Sequence, residues 1–195
     1  PSETGFSLKM FVQDDLSGEI PLEFRATKVF TSGGVVQQDT VVRDVTLDIA
    51  ARAELPTVAV PENIIDGGSE SDAGSLSVTL SGIAASSPDP GEAVEVVIKT
   101  TKAIAGLVAF ELNGSTVQAV PDPDAAVPAA GAADTRQYLY TLTGPIADGD
   151  LVAKVDQYAA GTFSFTMDVT NTDGGDSSTL SGLPFQFKVT PVAQK

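Results

Sequence analysis

Residues 161–190, "GTFSFTMDVTNTDGGDSSTLSGLPFQFKVT", carry the clearest strand pattern of the chain. Apolar and polar residues alternate over 163–169 and again over 183–190, as they do in strands with one buried face. The Asp and Gly residues of 173–176 indicate a turn between them. The stretch therefore predicts two antiparallel strands whose inward side chains form a core. The predicted core residues are Phe163, Phe165, Met167, Val169, Phe185, Phe187 and Val189.

The same alternation recurs along the chain, whereas helix signals are nearly missing. In "FELNGSTV" (110–117), Asn113 and Gly114 suit the two positive-φ positions of a type I′ turn, so 107–120 should form a hairpin. Many short antiparallel strands predict an all-β, antiparallel Ig-like β-sandwich. The remaining predicted strands are 6–12, 20–30, 41–49, 75–83, 93–100 and 136–144.

An internal repeat sets the predicted domain organisation. When Gly161 is placed over Gly18, the inward positions of the closing strands match in character, and paired glycines follow in both copies. The copies lie about 140 residues apart, which indicates tandem domains. We therefore expect 1–54 to hold three closing strands of a preceding Ig-like domain, and 55–195 a complete sandwich of seven or so strands. The first copy would be either cut inside its domain or separated from its other strands by an insertion.

Composition excludes several classes of function. The chain has 11 Lys and Arg against 26 Asp and Glu, a net charge of −15, so neither nucleic acid nor an anionic membrane surface is an expected partner. No apolar run is long enough to span a membrane. We expect the protein to be a monomer. The chain has no His, Cys or Trp, so it cannot form a catalytic triad, a thiol nucleophile or a His-ligated metal site. We therefore expect that this protein is not an enzyme.

The closing strands and linker, "AGTFSFTMDVTNTDGGDSS" and "FQFKVTPVAQK", resemble those of Ig-like or cadherin-like repeats in giant bacterial RTX adhesins. "LPTVAVPENIIDGGSESDAGSLSVTLSGI" (55–83) is similar to the opening strands of such a repeat. The resemblance implies an extracellular extender, or spacer, that holds ligand-binding domains away from the cell surface, contacts neighbouring Ig-like domains of the same chain and is stiffened by calcium. The alternatives are a sandwich whose loops bind a glycan or protein, and a non-catalytic domain of a secreted hydrolase.

The acidic turns are the candidate metal ligands. "NTDGGDSS" (171–178) suits either a short Ca²⁺ loop or a plain hairpin turn, and "VQDDLSGE" (12–19) suits either a cation site or a solvated turn. In a sandwich of this strand order, 171–177 and the loop "SSPDPGE" (86–92) reach the end where the linker arrives. We therefore predict a Ca²⁺ site at the domain junction, against the alternative of a hinge kept open by like charge. The predicted ligands are Asp14, Asp15, Glu54, Asp89, Asp173 and Asp176.

Overall fold

The structure is a computed structural model that describes residues 9–12, 16–71 and 74–193. The chain folds into two compact units. We call the first, which ends at Arg52, the hairpin unit, and the second, which begins at Ala53, the sandwich unit.

Within the described residues, the hairpin unit has two long antiparallel strands, β1 (Gly18–Ser32) and β2 (Val35–Ile49). They are joined by Gly33 and Gly34, whose φ angles of 59° and 82° are the positive values that a two-residue hairpin turn needs. Residues 9–12 are irregular, so the predicted strand 6–12 is wrong over its described part. Its first residues, 6–8, lie outside the described residues.

Residues paired across the two strands share a face of the hairpin, and on one of the two faces most of these residues are apolar. Its side chains are largely exposed: Phe24 keeps 38% of its surface and Val45 keeps 48%. The hairpin unit therefore has the sequence pattern of a sheet with one buried face, but most side chains of its apolar face are exposed. This face also carries Lys28, Gln37, Asp39 and Arg43, and its apolar residues are Ile20, Leu22, Phe24, Ala26, Phe30, Val35, Val41, Val45, Leu47 and Ile49.

The described part of the sandwich unit has twelve strand segments and one short helix, more segments than the seven or so strands predicted. They are β3 (Thr57–Ala59), β4 (Ile65–Ser69), β5 (Leu76–Thr79), β6 (Ala84–Ser86), β7 (Ala93–Thr101), α1 (Lys102–Ala105), β8 (Val108–Leu112), β9 (Ser115–Val117), β10 (Val120–Pro121), β11 (Gln137–Thr143), β12 (Leu151–Val155), β13 (Gly161–Asp173) and β14 (Asp176–Thr190).

These strands form two main sheets. One has the order β10-β11-β7-β13-β14-β4, the other has the order β5-β12-β8-β9, and β3 and β6 form a separate pair. All neighbours run antiparallel except β14 and β4, which are parallel. The predicted all-β, antiparallel sandwich is confirmed. In the described part of the chain, no helix is long and apolar enough to cross a membrane.

The core lies between the two main sheets. All seven core residues predicted from 161–190 are buried, none more than 4% exposed. Phe165 stacks on Phe185 with ring centroids 5.2 Å apart, and Phe110 of the facing sheet meets Phe165 edge-on at the same distance. The buried Tyr140 donates a 2.7 Å hydrogen bond to the Val108 carbonyl, which ties the two sheets together.

The turn prediction at Asn113-Gly114 is confirmed, with φ angles of 51° and 79° between β8 and β9. The hairpin ends at Val117, however, because the chain then crosses to the other sheet, where Val120 pairs with Leu139. The predicted strand 115–120 is therefore two strands in two sheets.

Four strands are not among the predicted ones: β3, β4, β6 and β12. β12 is only five residues long and follows a turn-rich segment. Ile65–Ser69, where the alternation predicts no strand, is the parallel strand β4, and its Gly67 lies so close to β14 that a Cβ would meet the Lys188 carbonyl oxygen at 2.9 Å. Parallel partners are distant in sequence, so no local pattern indicated this pairing.

Candidate functional site

The first residues of the sandwich unit are held in place by polar side chains. The Ala53 N–H donates to Asp176 Oδ2 at 3.1 Å, and the Glu54 N–H donates to Glu92 Oε1 at 2.8 Å. From the other side, Asn171 Nδ2 donates to the Glu54 carbonyl oxygen at 3.1 Å. We call this end of the sandwich unit the proximal end. Two carboxylates and one amide thus fix the backbone where the chain enters the unit.

Asn171 lies within β13 rather than on the turn predicted for 171–177. The turn itself is only Gly174 and Gly175, between the paired residues Asp173 and Asp176. Asn171 is fully buried, and its Oδ1 has no hydrogen-bond partner among the described residues. An unpaired buried amide oxygen costs about 1–3 kcal/mol, and the hydrogen bond to Glu54 offsets part of that cost.

The loop that carries Asp89 supports Glu92. The Ser87 hydroxyl donates to Glu92 Oε2, and the Asp89 N–H donates to Ser87 Oγ at 3.0 Å. The Glu92 N–H closes the loop on the Asp89 carbonyl at 3.3 Å. Both carboxylate oxygens of Glu92 are therefore engaged, one by the loop and one by Glu54.

Four of the six predicted metal ligands lie in the part of the chain that the structure describes, all at the proximal end: Glu54, Asp89, Asp173 and Asp176. Asp14 and Asp15 lie outside the described residues. Asp176 uses one oxygen to bind the Ala53 N–H, and Glu54 is bound through its backbone.

The described residues contain no group of three or more Asp or Glu side chains arranged to hold a metal ion. The Ca²⁺ prediction, which also depends on Asp14 and Asp15, stays a prediction.

Glu92 and Asn171 are the two residues of this site that sequence reasoning left out of the predicted ligand set. Glu92 belongs to the loop "SSPDPGE", and Asn171 to the segment "NTDGGDSS". Their contacts with Glu54 were not predicted, because Glu54 is distant in sequence, 38 residues from Glu92 and 117 from Asn171.

A second polar cluster lies at the start of β11, around Asp134. Arg136 and Tyr138 donate to its carboxylate, and the Lys102 ammonium lies 3.5 Å from it. The hydrogen bonds from Arg136 hold the pKa of Asp134 well below its usual range, and Asp134 in turn raises the pKa of Arg136. This cluster was not predicted from the sequence.

Compared with known proteins, the chain matches no protein-family model and no curated protein sequence.

Proposed function

We propose that this chain is an extender module of a bacterial cell-surface adhesin, a spacer that holds ligand-binding domains away from the cell. The observation that carries the proposal is the path of the chain through the sandwich unit. The chain enters beside Asp176, the first residue of β14, and leaves after Thr190, the last residue of the same strand. Entry and exit therefore lie at opposite ends of one strand.

The length of that strand sets the reach of the module. β14 has 15 residues, and a strand rises about 3.4 Å per residue, so the two ends are at most about 48 Å apart, since a β-bulge interrupts the strand between Leu180 and Leu183. Copies joined end to end would add this distance each time instead of folding back on one another. This is the geometry that a spacer requires.

The exit is fixed as firmly as the entrance. The Glu70 N–H donates to the Thr190 carbonyl at 3.0 Å, and the Val192 N–H donates to Glu70 Oε1 at 2.8 Å. Next to this contact, β4 pairs with the end of β14, where Phe187 is in register with Ile65. Tension between the two ends pulls these parallel strands in opposite directions along their length, which loads their hydrogen bonds together.

Single-molecule stretching tests this role. With handles at Ala53 and Pro191, we expect the sandwich unit to unfold in one step at high force. Gly67→Ala should lower that force, because its Cβ would displace the β14 backbone at Lys188. Gly91→Ala is the matched control, since a Cβ there meets nothing within 4 Å. Equal forces for both variants, or ends much closer than about 48 Å before unfolding, would contradict the proposal.

Calcium is the second part of the proposal. A hard cation with six to eight oxygen ligands would relieve the repulsion among the carboxylates of the junction and stiffen the connection between neighbouring domains. We expect Ca²⁺ to raise the melting temperature of the metal-free chain and expect Asp15→Asn with Asp173→Asn to abolish that rise. No calorimetric heat and no change in melting temperature would remove calcium and leave the spacer role standing.

A further inference from the structure

A groove opens in the larger sheet where β7 and β13 separate. Their register runs from Thr172 opposite Ala93 to Thr166 opposite Lys99. Beyond that point the Ser164 carbonyl accepts a hydrogen bond from the Thr100 hydroxyl, at 3.1 Å. The groove has a volume of about 490 Å³ and extends to the start of β11.

The wall of the groove carries a guanidinium held in a fixed orientation. Arg136 Nε and Nη2 donate to the two oxygens of Asp134 at 2.9 and 3.0 Å, and the Tyr138 hydroxyl adds a third bond at 2.9 Å. The Asp134 side chain is only 10% exposed. A bidentate pair of this kind fixes the plane of the guanidinium, so Arg136 loses little entropy when it binds a further acceptor.

Arg136 keeps donors for such an acceptor. A guanidinium has five N–H groups, and the bidentate pair uses two of them. The remaining three point away from Asp134, and Arg136 itself lines the groove. Lys102 lines it too, with 60% of its side chain exposed and its ammonium 3.5 Å from Asp134 Oδ2.

The charge of the groove is opposite to that of the protein. Three cationic side chains line it, Lys99, Lys102 and Arg136, and they are paired with two carboxylates, Asp134 and Asp168. The balance is one positive charge in a chain of net charge −15. An anion is therefore drawn to this place and repelled by much of the remaining surface.

We propose that this groove binds the carboxylate of an acidic carbohydrate, with Arg136 and Lys102 as the anion-binding residues. The neighbouring hydroxyl and amide groups of Thr101, Thr135 and Gln137 line the groove and suit the ring hydroxyls of a sugar. An extended acidic peptide fits less well. It would have to add as a strand between β7 and β13, and the hydrogen bond from the Thr100 hydroxyl to the Ser164 carbonyl already bridges these two strands at the groove.

The test is a ¹H–¹⁵N NMR titration of the 195-residue chain with trigalacturonate, with a neutral galactose trisaccharide and a tetraglutamate peptide run in parallel. We expect saturable shifts confined to 99–102, 134–137 and 164–166, and only with the uronate. Shifts that do not saturate or that spread over the surface would overturn the proposal. Equal binding of the peptide would overturn the carbohydrate assignment.

Variants separate binding from stability. Arg136→Lys keeps the charge but loses the planar fork, and we expect the dissociation constant to rise about tenfold, the equivalent of one hydrogen bond to a charged group. Lys102→Gln should weaken binding about threefold while leaving the Asp134–Arg136 pair intact. Lys154→Gln is the control, because Lys154 pairs with Glu111 on the other sheet. If Lys102→Gln and Lys154→Gln bind equally, the proposal is wrong. The spacer role does not depend on this outcome.

Discussion

The hairpins β1–β2 and β13–β14 have similar sequence patterns and very different surroundings. Both end in 15-residue second strands, both turn at paired glycines, and both alternate apolar and polar residues. Yet Met167 of β13 is fully buried, while Phe24, which falls on it when the two stretches are aligned, is 38% exposed. The alternation gives each hairpin an apolar face, but only β13–β14 is covered by a second sheet within the described residues.

The stability of a hairpin of this type depends on the elements that cover its apolar face. In the sandwich unit, β7 pairs with one edge of β13–β14, β4 pairs with the other, and Phe110 of the facing sheet closes the core. A two-stranded sheet alone is marginally stable at best in water. We therefore propose that the apolar face of β1–β2 belongs to an Ig-like domain that is completed by strands beyond these two.

The largest expected effect comes from separating the two units. Residues 1–54 expressed alone should show no cooperative thermal transition, because one sheet face stays in water, whereas 53–195 should unfold in a single transition. Circular dichroism of the two fragments, with sedimentation to show that 1–54 is monomeric, measures this. A cooperative transition from monomeric 1–54 would defeat the comparison.

Equivalent core truncations should cost very different amounts in the two hairpins. Phe165→Ala removes a ring that stacks on Phe185 and Phe187, and should lower the free energy of unfolding by about 3–5 kcal/mol. Phe24→Ala should lower it by less than about 1 kcal/mol, since that ring is already partly in water. Chemical denaturation of both variants checks the pair. A loss below about 1 kcal/mol for Phe165→Ala would contradict the observed packing.

A smaller loss of stability is expected from a substitution at the proximal end. The described residues of the hairpin unit contain no equivalent contact between a turn carboxylate and the entering backbone. Asp176→Ala removes the acceptor of the Ala53 N–H and should cost about 1–2 kcal/mol. Asp173→Ala on the other side of the same turn is the control, because its side chain makes no hydrogen bond within the described residues. Denaturation midpoints that shift equally for the two variants would show that the contact with Ala53 contributes nothing.

The smallest effect is the pH dependence of the Asp134 cluster. The pKa of Asp134 in the folded protein is lowered, chiefly by the hydrogen bonds from Arg136. Its contribution to the free energy of unfolding is therefore fully present above the unfolded pKa of about 4 and is lost as the pH falls towards the folded pKa. Asp134→Asn should therefore lower the melting temperature at pH 7 and make less difference below about pH 3. A gap that grows on acidification would reverse the assigned sign.

Much of the fold could be predicted because its signals are local. The positive φ angles at Asn113 and Gly114, and the inward set from Phe163 to Val189, depend on neighbours in the chain, and both are as predicted. The proximal end could be predicted only in part. The acidic turns are evident from the sequence. The contacts of Glu92 and Asn171 with Glu54 are not, because they join segments that are far apart in the chain.

Four properties follow from local sequence alone: most of the strands, the tight turns, the inward face of the closing strands, and the lack of imidazole and thiol chemistry. The tertiary structure decided which apolar face is covered, that Ile65–Ser69 is a parallel strand, and that Asp134 and Arg136 form one wall of a groove. The two sets of properties differ in how far apart in the sequence the interacting residues lie. Side-chain alternation and backbone φ preferences act within a few residues, whereas burial and parallel pairing require residues that only the folded chain brings together.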